Sequence, residues 1–523
     1  MSSRPIPPRP SLEFDRKQAK ALLDALHRGD ADAAQRFRAH HPRFGPQGAP
    51  RGAALHDAQL VIAREYGVAS WPRWKQFVEA RLLGTSERAA DLVRAACEGD
   101  MRRASILLGL EPALERFDFY AACVCGAADH VAGLLAHDPS WARRRGGTLD
   151  REPILYACFS RFLRSDAGRA GGIVRVVRLL LDQGADANAH ETAAEGGETW
   201  IQTALYGAAG IANNAELTRM LLAAGADVNE LHGEPGREPR ASALGPEALY
   251  HASEFADVAC LRLLLEARPP LHPKRVSYCL ARMLDFENPS GVDLYLDHGA
   301  DPNFRIPWLR NRTHLHRAVA YGRSTTIVRR LLEAGGDPNV IDDRGLTPLR
   351  SAVRHGRQDL AEVLRAAGAD VTKLAPDDTA GALVDPDVLC RAASRNDVEL
   401  LRRLLDAGAD PNAPGGLDET PPLHWACWRG HADAARLLIE RGADLHVRNR
   451  YGGDALGTTL HGSVNCHDLV GGMTMKLPEE ITHGDYPAVA EMLIAAGARL
   501  PDHVRGSDAV QDVLRRAGVP DPE

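Results

Sequence analysis

The string Gly-Ala-Asp-x-Asn constrains this chain more than any other feature. It stands at Gly184–Asn188, Gly225–Asn229, Gly299–Asn303 and Gly408–Asn412, with Gly in place of Ala at Gly335–Asn339, and shortened at Gly368–Asp370, Gly442–Asp444 and Gly497–Ala498. Successive copies start 41, 74, 36, 33, 40, 34 and 55 residues apart. Intervals near 33 recur, 74 spans two units, and the longer gaps are units with insertions. By length alone, 523 residues would make about three or four globular domains or one extended array. A period this short selects the array, because such a unit cannot bury its apolar face without stacking on its neighbours.

An apolar stretch at helical spacing precedes most copies, as in Val177-Arg-Leu-Leu-Leu, Arg219-Met-Leu-Leu, Val328-Arg-Arg-Leu-Leu and Ala435-Arg-Leu-Leu-Ile. A second element lies ahead of it: Thr347-Pro-Leu-Arg-Ser-Ala-Val-Arg-His-Gly, Pro421-Pro-Leu-His-Trp-Ala-Cys-Trp-Arg-Gly and, more loosely, Thr313-His-Leu-His-Arg-Ala-Val-Ala-Tyr-Gly. Thr347 can cap a helix N-terminus, and Pro348 suits the first helical position, where its missing N–H costs nothing. Leu349, Ala352 and Val353 form one apolar stripe, and Leu360, Val363 and Leu364 form that of a second helix after Gly356. Gly368 supplies a left-handed cap, and Asp/Asn chemistry turns the chain into a loop.

A helix–turn–helix pair followed by a projecting hairpin loop, in several copies of one order and period, resembles the ankyrin repeat. The resemblance covers residues 87–500, with units near 87–111, 116–145, 152–190, 200–231, 246–270, 275–303, 313–340, 346–373, 387–413, 420–446 and 452–499. It implies an all-α ankyrin-repeat solenoid over residues 83–500, a helical N-terminal cap over 1–82, and a capping helix (Ser507–Ala517) and tail over 501–523. In the N-terminal segment, Gln18–Arg38 reads as a helix pair turning at Gly29-Asp30. A Pro/Gly-rich break, His41–Gly52, precedes two helices, Leu55–Gly67 and Ser70–Ala80, with Ser70 as N-cap of the second. Trp71, Trp74 and Phe77 are expected to pack on the first repeat.

Charge and cysteine content exclude other classes. A formal net charge of −7 argues against a chain-wide nucleic-acid binder. Nine scattered cysteines without a CxxC pair read as reduced thiols. The start, Met1-Ser-Ser-Arg-Pro-Ile-Pro-Pro-Arg-Pro, has charge and proline where a signal peptide needs an apolar core, and no uncharged apolar run reaches the ~18–20 residues that span a bilayer. A cytoplasmic, membrane-free protein is expected. Arg outnumbers Lys by about nine to one, beyond what solubility selects, which points to a GC-rich bacterial source.

Residues that could carry function follow from the resemblance. In such arrays the loop tips and the ends of the first helices line a concave partner-binding surface. The positions facing it here are Gly210 and Ile211, Glu254 and Phe255, Ala320 and Tyr321, Arg354 and His355, Ser394 and Arg395, and Trp428 and Arg429. Tyr, Trp and Arg dominate binding energies, so Tyr321, Arg354, His355, Arg395, Trp428 and Arg429 are the expected contact patch for a protein partner of a monomeric chain. Trp425 and Trp428 can instead fill space between neighbouring repeats. Insertions at Glu230–Glu247 and Thr372–Asp385 lengthen loop tips, whereas Arg161–Gly172 and Gly462–Asp485 fall between paired helices. The last holds Cys466, His467, Asp468 and His483 next to His461, but adjacent Cys-His lacks the paired spacing of a zinc site. No P-loop, Gly-x-Gly-x-x-Gly after a strand, His-Glu-x-x-His or Gly-x-Ser-x-Gly occurs, so no catalytic residue, metal or cofactor is expected. The recurring His316 and His424 read as structural, bonded to the backbone of neighbouring repeats. Two rival readings are a metal or enzymatic site on the 462–485 insert and a nucleic-acid-binding arm in residues 1–82, which carry 14 Arg and Lys against 8 Asp and Glu.

Overall fold

Gly335 and Gly408 sit where each second helix ends, at φ +94° and +91°, in the left-handed region open to glycine. The computed structural model that shows this describes residues 4–42, 44, 52–195, 198–229, 247–306, 310–374, 385–415, 420–449, 452–465 and 484–520. After the glycine, each Asp closes a tight turn. Asp186, Asp227, Asp301, Asp337, Asp370, Asp410 and Asp444 accept the backbone N–H two residues ahead at 2.8–2.9 Å. The Asn of the motif reaches into the next unit. Oδ1 of Asn188, Asn303, Asn339 and Asn412 accepts from the N–H of Asp227, Asp337, Asp370 and Asp444, each at 2.7 Å. Their Nδ2 groups donate to the carbonyls of Gly225, Gly335, Gly368 and Gly442 at 2.8–3.1 Å. Where Thr372 replaces Asn, its hydroxyl turns back to Asp370 at 2.6 Å.

The chain divides into two compact units, residues 1–179 and 180–523. Helix pairs of the second unit are Tyr206–Ile211 with Ala215–Ala223, Glu247–Ala252 with Ala259–Leu265, Pro273–Met283 with Pro289–Asp297, His314–Ala320 with Thr325–Glu333, Pro348–Arg354 with Gln358–Ala366, Pro386–Ser394 with Val398–Asp406, Pro422–Arg429 with Ala432–Glu440, and Ala455–Asn465 with Tyr486–Ala495. Thr347 Oγ1 caps its helix by accepting from Arg350 N at 3.2 Å, and Pro348 starts it. Across units, as anticipated, the Nε2–H groups of His316 and His424 donate to the carbonyls of Leu346 (2.9 Å) and Gly453 (3.2 Å). Leu389, Leu401, Leu423, Leu438, Leu493 and Leu514 belong to one continuous buried cluster. Each such leucine contributes about 1.5–3 kcal/mol through burial. The last helix, Asp508–Arg516, adds Val510, Val513 and Leu514 to that cluster. Among the described residues, the one sheet is the ribbon His190–Glu195/Glu198–Thr203, running from the His190–Thr203 to the Glu195–Glu198 pair, in the loop between repeat units.

In the first unit, helices Leu12–His27, Ala31–His40, Leu55–Glu65 and Trp71–Leu82 precede the pairs Thr85–Glu98/Met101–Leu110 and Phe119–Cys125/Ala128–His137. Pro153–Cys158 comes next, followed by Ala167–Asp182, the helix in which the boundary between units falls. Gly29 turns the first two helices at φ +83°, and Ser70 Oγ caps the fourth. Trp71 and Trp74 do not serve as a docking face for the first repeat: they are buried with Leu22, Phe37, Val61, Ile62 and Tyr66 in a cluster that ends at Val78. Asp15, 1% exposed, explains this, because it accepts from Trp74 Nε1 at 2.9 Å and from Tyr66 Oη at 3.0 Å while the two rings stack 4.2 Å apart. The next pair is reached by backbone carbonyls instead, Arg103 on Gln76 (2.6 Å) and Arg88 on Ala80 and Arg81 (3.0 and 2.9 Å). The insertion at Arg161–Gly172 is also not a loop. It forms the short helix Phe162–Ser165 and the first turns of Ala167–Asp182, where Gly172 packs so closely that a Cβ would lie 2.2 Å from Gly126 O.

Candidate functional site

Four of the six candidate residues share one register. Tyr321, His355, Arg395 and Arg429 each stand immediately before a left-handed residue: Gly322 (φ +63°), Gly356 (+66°), Asn396 (+55°) and Gly430 (+67°). The end of each first helix thus presents one side chain per unit on a rigid support. Arg354 and Trp428 stand one position earlier, and all six are half-buried.

Their surroundings differ. The Arg317 guanidinium lies 5.1 Å over the Tyr321 ring and is paired with Asp285. Asp285 also binds Arg282 at 2.8 Å, Arg282 binds Glu254, and His251 lies between Glu247 and Glu254 at 3.2 Å from each. Burial disfavours the charged His251, but its hydrogen bonds to Glu247 and Glu254 prevail and raise its pKa to about 9. His355 behaves oppositely. Burial, then the Arg391 charge, pushes it down to about 4, so it is neutral and bonded through Nδ1 to Ser351 O at 2.7 Å. Arg354 Nε lies 2.9 Å from the buried Asp385. Arg395 Nη2 converges with Arg357 Nη1 and Arg391 Nη2 above Gly322, each 2.8 Å from where a Cβ on that glycine would stand.

Trp428 and Arg429 lie further along the array. Trp428 meets the His461 ring at 5.4 Å, and its carbonyl accepts from Tyr486 Oη at 2.9 Å. Arg429 Nε is buried with no hydrogen-bond acceptor among the described residues. Trp425 packs, partly buried, on the apolar cluster. Sequence reasoning missed Arg323, Arg357 and Arg391. The signal was a register: Gly322-Arg323 and Gly356-Arg357 repeat a basic residue just past the turn, and Arg391 matches Arg317 in its own unit.

Among the described residues, no group of three or more His, Cys, Asp and Glu side chains is placed to hold a metal ion. Cys466, His467, Asp468 and His483 lie outside the described residues, as do the insertions 230–246 and 375–384. Cys123 and Cys125 are fully buried, and burial pushes the Cys125 thiol up to about 12. No helix of the described residues is long and apolar enough to cross a membrane.

Two family models match, one for ankyrin repeats in three copies at residues 280–375 and one for ankyrin repeats in many copies at 389–439. These segments coincide with the helix pairs and Asn-tied loops described above. The chain carries ankyrin repeats. It is similar to a putative ankyrin repeat-containing protein of Treponema pallidum (strain Nichols), 36% identical over 131 residues, which are 25% of this chain and 42% of that one. Over 139 residues it is 37% identical to the neurogenic locus notch homolog protein 1 of Homo sapiens, covering 26% of this chain and 5% of that one. With the Danio rerio protein of that name it shares 30% over 200 residues, 36% and 8% of the two chains. The matched part of the chain spans less than half of the Treponema protein and under a tenth of the notch proteins. Helix pairs of the same build lie on both sides of the matched segments.

Proposed function

We propose that this ankyrin-repeat chain is a non-enzymatic scaffold that binds a protein partner through the groove lined by its first-helix ends and loop tips. Tyr321, Arg354, His355, Arg395, Trp428 and Arg429 form the contact patch. The observation behind this reading is the register: half-buried Tyr, His and Arg side chains repeat at one position of consecutive units, each held by a helix end and a left-handed turn. Binding is by shape and hydrogen bonding, with no covalent step, and the protein works as a monomer in the cytoplasm of a bacterial cell. Neither the 462–485 insert nor the basic N-terminal segment gains a supporting contact among the described residues.

Affinity capture from the source cells with the full chain, repeated with Trp428→Ala plus Arg429→Ala, tests the proposal. A partner retained by the wild type and lost by the variant, with the melting midpoint unchanged, is the expected result. Equal retention by both removes the patch from the groove.

A further inference from the structure

Arg312 reaches past a neighbouring unit. Its backbone belongs to the turn ahead of His314–Ala320, where Arg310 and Asn311 stand in left-handed backbone at φ +59° and +53° and Ile306 N donates to Arg312 O at 3.2 Å. That turn is tied to the next loop, because Asp343 N donates to Arg310 O at 3.0 Å and Asn311 Nδ2 donates to Asp343 Oδ1 at 3.0 Å. The Arg312 guanidinium, 4% exposed, then bridges two buried carboxylates. Its Nε donates to Asp342 at 3.0 Å, in the loop after its own unit. Its Nη2 donates to Asp387 at 2.7 Å, 75 residues further on and beyond the whole intervening pair Pro348–Arg354/Gln358–Ala366. Both carboxylates have other support. Asp342 accepts from the N–H groups of Arg344 and Leu346 at 2.9 Å. Asp387 lies 3.3 Å from Arg344, in the first turn of Pro386–Ser394, where a helix N-terminus favours negative charge.

A stacked repeat ordinarily touches only the units on either side of it. The junction that this contact spans is also where the usual tie is replaced: Thr372 stands for Asn and turns its hydroxyl back to Asp370 at 2.6 Å. The buried apolar cluster of the later repeats begins at Val388, and among the described residues Leu349, Leu360 and Leu364 of the preceding unit lie outside it. Charged side chains span the same junction, Arg354 with Asp385 at 2.9 Å and Arg344 with Asp387. A buried ion pair is costly to break from one side, since the other charge loses its counter-ion away from water. We infer that the Arg312–Asp387 pair is a latch that bypasses one unit and couples units 313–340, 346–373 and 387–413 into one cooperative block. Tyr321, His355 and Arg395 stand at the first-helix ends of those units, so the latch fixes their spacing. That consequence for the groove rests on the proposed function, whereas the latch is tested without a partner.

Hydrogen exchange of the full chain, followed by mass spectrometry, is the test. Arg312→Met removes the guanidinium and leaves Asp387 beside Arg344 and Asp342 on its backbone donors. Amides of Pro386–Ser394 should then exchange about tenfold faster or more, although the substituted residue belongs to a unit two places away, while those of Tyr486–Ala495 change by less than about twofold. Asp387→Asn should act in reverse and speed exchange in His314–Ala320 by a similar factor. The double variant should exchange no faster than the more affected single one, because both substitutions remove the same contact. Acceleration in Arg312→Met that stops short of residue 386 overturns the latch and leaves Arg312 as a support of its own loops. Equal acceleration in every helix of residues 206–495 overturns it too, as a general loss of stability, and so do additive effects in the double variant. Should Arg312→Met fold poorly, Asp387→Asn, close in shape to the aspartate, carries the test alone, with unchanged exchange in His314–Ala320 as the overturning result. A failed latch leaves the groove reading standing, to be decided by the Trp428/Arg429 capture experiment.

Discussion

The N-terminal helices and the later repeats bury polar groups by opposite strategies. Among the described residues between Leu12 and Leu82, the arrangements are individual. Asp15 takes the Trp74 and Tyr66 donors, and Asp57 is held between His41 at 3.0 Å and His56 at 3.3 Å. Burial would raise the Asp57 pKa, but hydrogen bonds from His41, His56 and Ala54 prevail and hold it far below the usual carboxylate range. From Asn303 onward, one small Asx tie recurs, as Asn303–Asp337, Asn339–Asp370 and Asn412–Asp444, with a break where Thr372 stands in place of Asn. A region without repetition concentrates its stability in a few irreplaceable groups, whereas a repetitive one spreads it over many equivalent interfaces.

The largest expected effect follows from the concentrated side. Asp15→Ala leaves an indole N–H and a phenol O–H buried without an acceptor and should destabilise the N-terminal helices by about 3 kcal/mol. Urea unfolding followed by tryptophan fluorescence measures it, and a loss no larger than that of a single repeat tie would break the contrast. Next comes pH. His251 binds its proton more tightly folded, at about 9, than unfolded, near 6.5. Its contribution is therefore complete below pH 6.5 and disappears as pH rises towards about 9. The change should be of order 3 kcal/mol, absent in His251→Gln, and readable from melting midpoints across that window. A flat profile would show that the Glu247–His251–Glu254 group adds nothing to the array. Gly408→Val forces a β-branched residue into left-handed backbone that is otherwise open around the Cβ position, so strain of about 1–2 kcal/mol is expected. Gly408→Asn should be milder, and an unchanged melt for the valine variant would mean the loop geometry is different. Smallest is Asn339→Ala, which removes two bonds between units, one of them exposed, and should cost about 1 kcal/mol or less. A much larger loss would mean the ties are as irreplaceable as Asp15.

Much of the fold was legible because repeat units are local. Capping by Thr347, the left-handed Gly356 and Gly368, the helix stripes and the last helix all depend on neighbours within a few residues, and all stand where spacing placed them. The destination of the Asn side chain was not legible. Its Asp partner has the same look in every unit, and only stacking brings Asn339 to Asp370 of the following unit. Likewise Trp71 and Trp74 read as a docking face, yet both are buried in the N-terminal cluster, where Asp15, distant in sequence, is the acceptor for Trp74. Of the candidate patch, the register of Tyr321, His355, Arg395 and Arg429 could be read from the turn residues. The convergence of Arg357, Arg391 and Arg395 on Gly322 could not, because it joins residues from three units.

By itself the sequence determined the period, the order of helix, turn, helix and loop, and the residue at each cap, since these are set by backbone preferences acting over one turn. Tertiary structure alone decided which side chains meet across units and which polar groups are sealed from water. Those outcomes depend on how far one unit is displaced and rotated against the next, a geometry fixed by packing and carried by no single segment.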